Sequence, residues 1–67
     1  MSVGEDRVRV KFNPGEDTTV SQIKQKTAEL IDMCEDLKSR DPRLAALAQT
    51  HYETAGMWAV KLCTAQA

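Results

Sequence analysis

Apolar residues recur at coiled-coil spacing over two stretches of this chain. Val20, Ile23, Thr27, Leu30, Cys34 and Leu37 follow one another at intervals of three and four, which marks one face of an α-helix. Leu44, Leu47, His51, Thr54, Trp58 and Leu62 lie near a second such stripe. The pattern predicts one helix over residues 18–39 and another over 42–64. Asp17 or Thr18 can accept the orphan N–H groups that open the first. Between the two, Ser39-Arg40-Asp41-Pro42 reads as a break, because Asp41 is a good N-cap and Pro42 fits the first helical position. Two long helices with so tight a turn make an antiparallel hairpin.

The segment before the helices reads differently. Residues 1–6 resemble a frayed tail. Arg7-Val8-Arg9-Val10-Lys11-Phe12 alternates strictly between basic and apolar, the period of a half-buried strand. No second strand is visible, so this strand lies against the helices or pairs with another subunit. Asn13-Pro14-Gly15 then forms a turn, since Pro presets one backbone angle and Gly accepts a positive φ. Residues 1–17 are therefore expected to be an extended arm and turn, in an otherwise all-α chain that forms one domain over 1–67.

Sixty-seven residues give a small core, and such chains are marginal unless stapled or oligomeric. Ile31, Met33, Met57 and Val60 fall off the two stripes and would face water in a lone hairpin. They point to self-association into a compact homo-oligomer. Ala45, Ala46, Ala48, Ala55, Gly56 and Ala59 are small positions that let helices approach closely. A helical glycine costs roughly 1 kcal/mol against alanine, and a close crossing at Gly56 offsets it.

Charge and composition narrow the function. A net charge of −1 disfavours strong binding to a DNA or RNA polymer. Folding the hairpin on paper separates the charges. The open end, residues 1–28 and 56–67, has six cations against four carboxylates, a net of +2, and the turn end has three against six, a net of −3. Cys34, Cys63 and the lone His51 have no metal spacing. No secretory signal is visible, so a reducing cytoplasm is the default and both cysteines are expected as small core residues. No apolar run approaches the roughly 20 residues of a membrane span.

The candidate chemistry gathers around Phe12-Asn13-Pro14-Gly15 and Lys24, twelve residues beyond Phe12. An aromatic ring, an amide, a tight turn, a helix N-terminus and lysines suit an anion that also has a flat base. Phe12 can stack on a base or act as a hydrophobic staple ahead of the helix. Lys24, Lys26 and Lys61 can bind phosphate or form a solvated face. His51 and Tyr52 have no nucleophile or carboxylate pair at catalytic spacing, and His51 reads as a hydrogen-bonded core residue. Met57-Trp58 reads as core or interface. No phosphate loop, GxGxxG, HExxH or CxxC occurs, which argues against an enzyme.

Taken in order, Val8-Arg9-Val10-Lys11-Phe12-Asn13-Pro14, Ile23-Lys24, Ala28-Glu29-Leu30-Ile31-Asp32, Thr50-His51-Tyr52-Glu53-Thr54-Ala55 and Met57-Trp58-Ala59-Val60-Lys61 resemble the helical-hairpin domain of phage anti-CBASS sponges, shared with an anti-Thoeris sponge. The resemblance covers about residues 7–64. It implies a homohexamer of hairpins in the cytoplasm of the infected bacterial host. It implies no catalysis and no cofactor: the protein holds cyclic dinucleotides such as 3′,3′-cGAMP and starves the immune effector of its signal. Phe12 then takes the place of the base-stacking aromatic, where relatives also use Tyr, and Lys24 that of the phosphate-binding lysine. Asn13 becomes a base or phosphate partner, and Lys26 and Lys61 stand near the ligand. Some relatives hold cyclic trinucleotides at separate sites near a threefold axis, for which Lys61 is the candidate here. The competing readings are an oligomerising hairpin or phage adaptor with no small-molecule ligand, and a nucleic-acid binder using Arg7, Arg9 and Lys11.

Overall fold

A computed structural model describes residues 2–8 and 18–65, except for the side chain of Asp6. It is all-helical over those residues. Helix α1 spans Val3–Val8, α2 Thr18–Asp36 and α3 Pro42–Thr64. α2 and α3 form the antiparallel hairpin, and α1 lies mainly against α2 and reaches α3. The result is a slab of 41 × 25 × 12 Å, and its thinnest dimension is close to the diameter of one helix with its side chains.

The arm expected to be extended is helical where it is described. Ser2 and Glu5 form a capping box: the Glu5 N–H donates to Ser2 Oγ at 3.1 Å, and the Ser2 N–H reaches back to Glu5 Oε1 at 3.4 Å. Tertiary contact then fixes the helix. The Gly4 N–H donates to Asp32 Oδ1 at 2.6 Å, and Gly4 is buried against α2. A Cβ at Gly4 would overlap the backbone carbonyl oxygen of Ala28, so no larger residue allows this approach. Arg7 and Val8 thus belong to a helix and not to a strand. Residues 9–17, with the rest of the alternating run and the Asn13-Pro14-Gly15 turn, lie outside the described residues.

α2 ends at Asp36, ahead of the expected Ser39. Its last turn tightens: the Lys38 N–H donates to the Glu35 carbonyl and the Arg40 N–H to the Leu37 carbonyl, at 3.2 and 2.9 Å. These three-residue bonds satisfy helix-end carbonyls. Asp41 then starts α3. Its backbone is extended and its Oδ1 accepts the Leu44 N–H at 3.0 Å, with Pro42 in the first turn.

The face that α2 buries overlaps its expected apolar stripe, whereas the face that α3 buries does not. Among the described residues, Val20, Thr27, Ala28 and Ile31 of α2 are buried with Ala45 and Gln49 of α3. Ile31, expected off the seam, is fully buried. Ile23 and Cys34 are half-buried, and Leu30 and Leu37 are exposed. On α3 the stripe of Leu44, Leu47, His51, Thr54, Trp58 and Leu62 is exposed throughout. His51 and Trp58, read as packing residues, are therefore surface residues of the single chain. The reason is the closeness of the crossing. A Cβ at Gly56 would stand 2.9 Å from Thr27 Cγ2, and helices so near each other have room only for small side chains between them. Thr27 fits because its hydroxyl donates to the Ile23 carbonyl at 2.7 Å while its methyl faces Gly56. Cys34 and Cys63 are half-buried free thiols.

One polar side chain joins the helices through the core. Gln49 Nε2 donates to the Ile31 carbonyl at 3.1 Å and to Glu35 Oε1 at 2.9 Å. A buried amide without such partners would cost roughly 1–3 kcal/mol. The Gln49 hydrogen bond, with Lys38 nearby, holds the Glu35 carboxyl below its ordinary pKa, against a smaller opposing effect of desolvation.

Candidate functional site

A cavity of about 440 Å³ opens where α1 meets the hairpin. α1 contributes Arg7 and Val8, α2 contributes Lys24 and Thr27, and α3 contributes Glu53, Gly56, Met57, Val60 and Lys61. Its volume lies within the usual range of small-molecule sites. Val8, Met57 and Val60 supply apolar wall, and among the described residues Arg7, Lys24 and Lys61 supply three cations against the carboxylate of Glu53. Local folding explains the grouping. The close Thr27–Gly56 crossing brings the first half of α2 beside the last half of α3, so Lys24 and Lys61 line one cavity although 37 positions separate them in sequence. Docking of α1 through Gly4 and Asp32 adds Arg7.

The cations are differently held. Arg7 Nε donates to Glu53 Oε2 at 2.8 Å. Its Nη1 lies 3.4 Å from Gln49 Oε1 and its Nη2 3.5 Å from Thr50 Oγ1. Arg7 therefore ties α1 to three residues of α3. The ammonium of Lys61 lies 5.2 Å from the centroid of the Trp58 ring, within cation–π range. Lys24 is half-buried.

Among the residues singled out from sequence, Lys24 and Lys61 line this cavity together. Lys26 is exposed and is not among the lining residues. Phe12 and Asn13 lie outside the described residues; in the chain they stand between Val8, which lines the cavity, and Thr18, where α2 begins. Sequence reasoning missed Arg7 and Glu53 as partners in the cavity. The available signal was Ser2-Val3-Gly4-Glu5, a capping-box pattern that turns the following residues into a helix.

The arrangement suits a ligand with negative charge and apolar or flat parts. Among the described residues, no three His, Cys, Asp or Glu side chains group as a metal site requires. No helix among them is long and apolar enough to cross a membrane.

Comparison with curated proteins and with solved structures returns no significant match. The family model described as "Acb2/Tad1, hairpin domain" matches residues 4–61. That span runs from the buried glycine of α1 to the lysine at the cavity and includes nearly all of α2 and α3. The chain thus belongs to the Acb2/Tad1 hairpin-domain family, the family of anti-CBASS and anti-Thoeris sponges.

Proposed function

We propose that this protein is a phage anti-defence sponge that sequesters cyclic dinucleotide second messengers, 3′,3′-cGAMP among them, in the cytoplasm of the infected host and releases them unaltered. The observation that carries this reading is that Lys24, Lys61 and Arg7 meet apolar walls in one cavity, in a chain of the sponge family. Lys24 binds phosphate as a point charge. Phe12 stacks on a base and Asn13 hydrogen-bonds beside it. Lys61 and Lys26 add positive potential, and cyclic trinucleotides are further candidates for Lys61. The family role supports binding, and the described residues that line the cavity do not pair a nucleophile with a base for cutting a phosphodiester.

The sponge acts as a homo-oligomer in this reading, with six copies as the expected number. Leu44 and Trp58 are each 63% exposed and Leu62 is 75% exposed, a row of apolar surface that a second copy would cover. A cyclic dinucleotide has near-twofold symmetry, and two subunits in a symmetric pair would supply two copies of Phe12 and Lys24.

That same stripe favours the second reading, an oligomerising hairpin with no small-molecule ligand. Thermal shift with cyclic di- and trinucleotides separates the two, because a ligand that binds only the folded state raises the melting temperature. The sponge reading expects a concentration-dependent rise and recovery of intact ligand after denaturation. An unmoved melting temperature favours the structural reading, and linear nucleotide accumulating over time would replace the sponge with a nuclease.

A further inference from the structure

Resting on the sponge reading, we infer that Glu53 reads the base of the ligand and selects guanine. Glu53 pairs with Arg7 between α3 and α1, and as a carboxylate in a cavity for a ligand with two phosphates it has to face a different part of that ligand. Glu53 lines the cavity with Lys24 and Lys61, and it is held there by a built support. The buried Gln49 is anchored on the Ile31 carbonyl at 3.1 Å. Gln49 Oε1 accepts from Arg7 Nη1 at 3.4 Å, and Arg7 Nε donates to Glu53 Oε2 at 2.8 Å. This chain of contacts runs from the core to the cavity and sets the direction of the carboxylate. Arg7 also neutralises it, which limits its repulsion of a phosphate elsewhere in the ligand.

The carboxylate side chain is 37% exposed. Glu53 Oε1 has no hydrogen bond among the described residues, and Oε2 can accept more than one. An ionised carboxylate only accepts, so its natural partner is a pair of adjacent N–H donors. Guanine has that pair in its ring N1–H and its exocyclic amine. Adenine sets one amine beside a ring nitrogen that accepts, and uracil sets one N–H between two carbonyls. Guanine is thus the base that satisfies both oxygens. A site built around such donors rejects a base that lacks them, because its own polar groups are then left unpaired.

The experiment titrates the full chain with cyclic di-GMP, cyclic di-IMP and cyclic di-AMP. Hypoxanthine keeps the ring N–H of guanine and lacks the amine, so the first two ligands differ only in one of the two donors that Glu53 is assigned to hold. The unaltered protein should prefer cyclic di-GMP over each of the others by roughly 100- to 10,000-fold, because each of two copies of Glu53 loses a hydrogen bond to a charged group. Glu53→Gln should shrink the guanine-over-adenine ratio by about tenfold or more. Equal binding of cyclic di-GMP and cyclic di-IMP overturns the assignment without recourse to any variant. A ratio that Glu53→Gln leaves unchanged overturns it as well, including when all three affinities fall together. An unaltered protein that binds none of the three overturns this assignment, and the sponge reading for dinucleotides falls with it only if 3′,3′-cGAMP also fails to bind.

Discussion

Lys61 holds its ammonium 5.2 Å from the centre of the Trp58 ring, and the two residues belong to different surfaces of α3. Lys61 lines the cationic cavity, whereas Trp58 stands on the exposed apolar stripe. Cavity and stripe therefore share a border. Covering Trp58 with a second copy would remove water from this pair and strengthen it, since a desolvated cation–π contact exceeds an exposed one.

Trp58→Ala follows from that border. With the ring 63% exposed in the single chain, its loss should leave the hairpin folded and weaken the assembly. Large aromatic residues at the centre of an interface are worth roughly 2–4 kcal/mol each. Light scattering at micromolar concentration should give an oligomeric mass for the parent and a smaller mass for Trp58→Ala, with helicity by circular dichroism retained. A parent of monomer mass would show that the stripe is not a self-association surface.

Gly4→Ala should detach α1. The added methyl would overlap the Ala28 backbone, which cannot move aside without breaking α2. Overpacking of this kind costs roughly 1–3 kcal/mol, enough to release a six-residue helix. Amide hydrogen exchange should show protection lost over residues 4–8 and kept along α2 and α3. Arg7 leaves the cavity with α1, so ligand affinity should fall in the same variant. Unchanged protection at α1 would contradict the docking described for Gly4 and Asp32.

Acid should weaken the hairpin through Glu35. Its carboxyl is lowered from the ordinary 4.5 chiefly by the Gln49 hydrogen bond. Because the folded state holds the proton less tightly, this contribution is fully present above the ordinary carboxylate range. It is lost as pH falls through the depressed value. Thermal melts between about pH 6 and pH 3 should show a smaller acid-induced fall for Glu35→Gln than for the parent. Superimposable pH profiles would mean that the Glu35–Gln49 bond does not contribute to stability.

Much of the hairpin was legible in the sequence. Asp41-Pro42 is a strong local start signal, and it opens α3 as its chemistry requires. Gly56 stood out as a place of close approach, and Thr27 packs against it. Which stripe faces inward was not legible. Heptad spacing shows that a helix has an apolar face and says nothing about what covers it. Here the tight crossing selects Ala45 and Gln49 for the interior and leaves Leu44 and Trp58 outside. α1 was misread because strict alternation over residues 7–12 outweighed a capping box that needs only Ser2 and Glu5. Lys24 and Lys61 stand out in the sequence as separate cations, and the hairpin brings both to one cavity. Arg7 and Glu53 were hidden because their pairing depends on α1 docking against α3, a contact between positions 46 residues apart.

Calorimetric titration of the purified protein with 3′,3′-cGAMP, repeated with Lys24→Ala and Phe12→Ala, bears on both the site and the function. Binding should saturate at one ligand per two chains. Two copies of each residue act on each ligand, so Lys24→Ala should cost about 3–6 kcal/mol and Phe12→Ala about 2–6 kcal/mol. Intact ligand should be recovered afterwards. Folded variants that bind as tightly as the parent would contradict the site, and a parent that takes up no cyclic nucleotide would contradict the function.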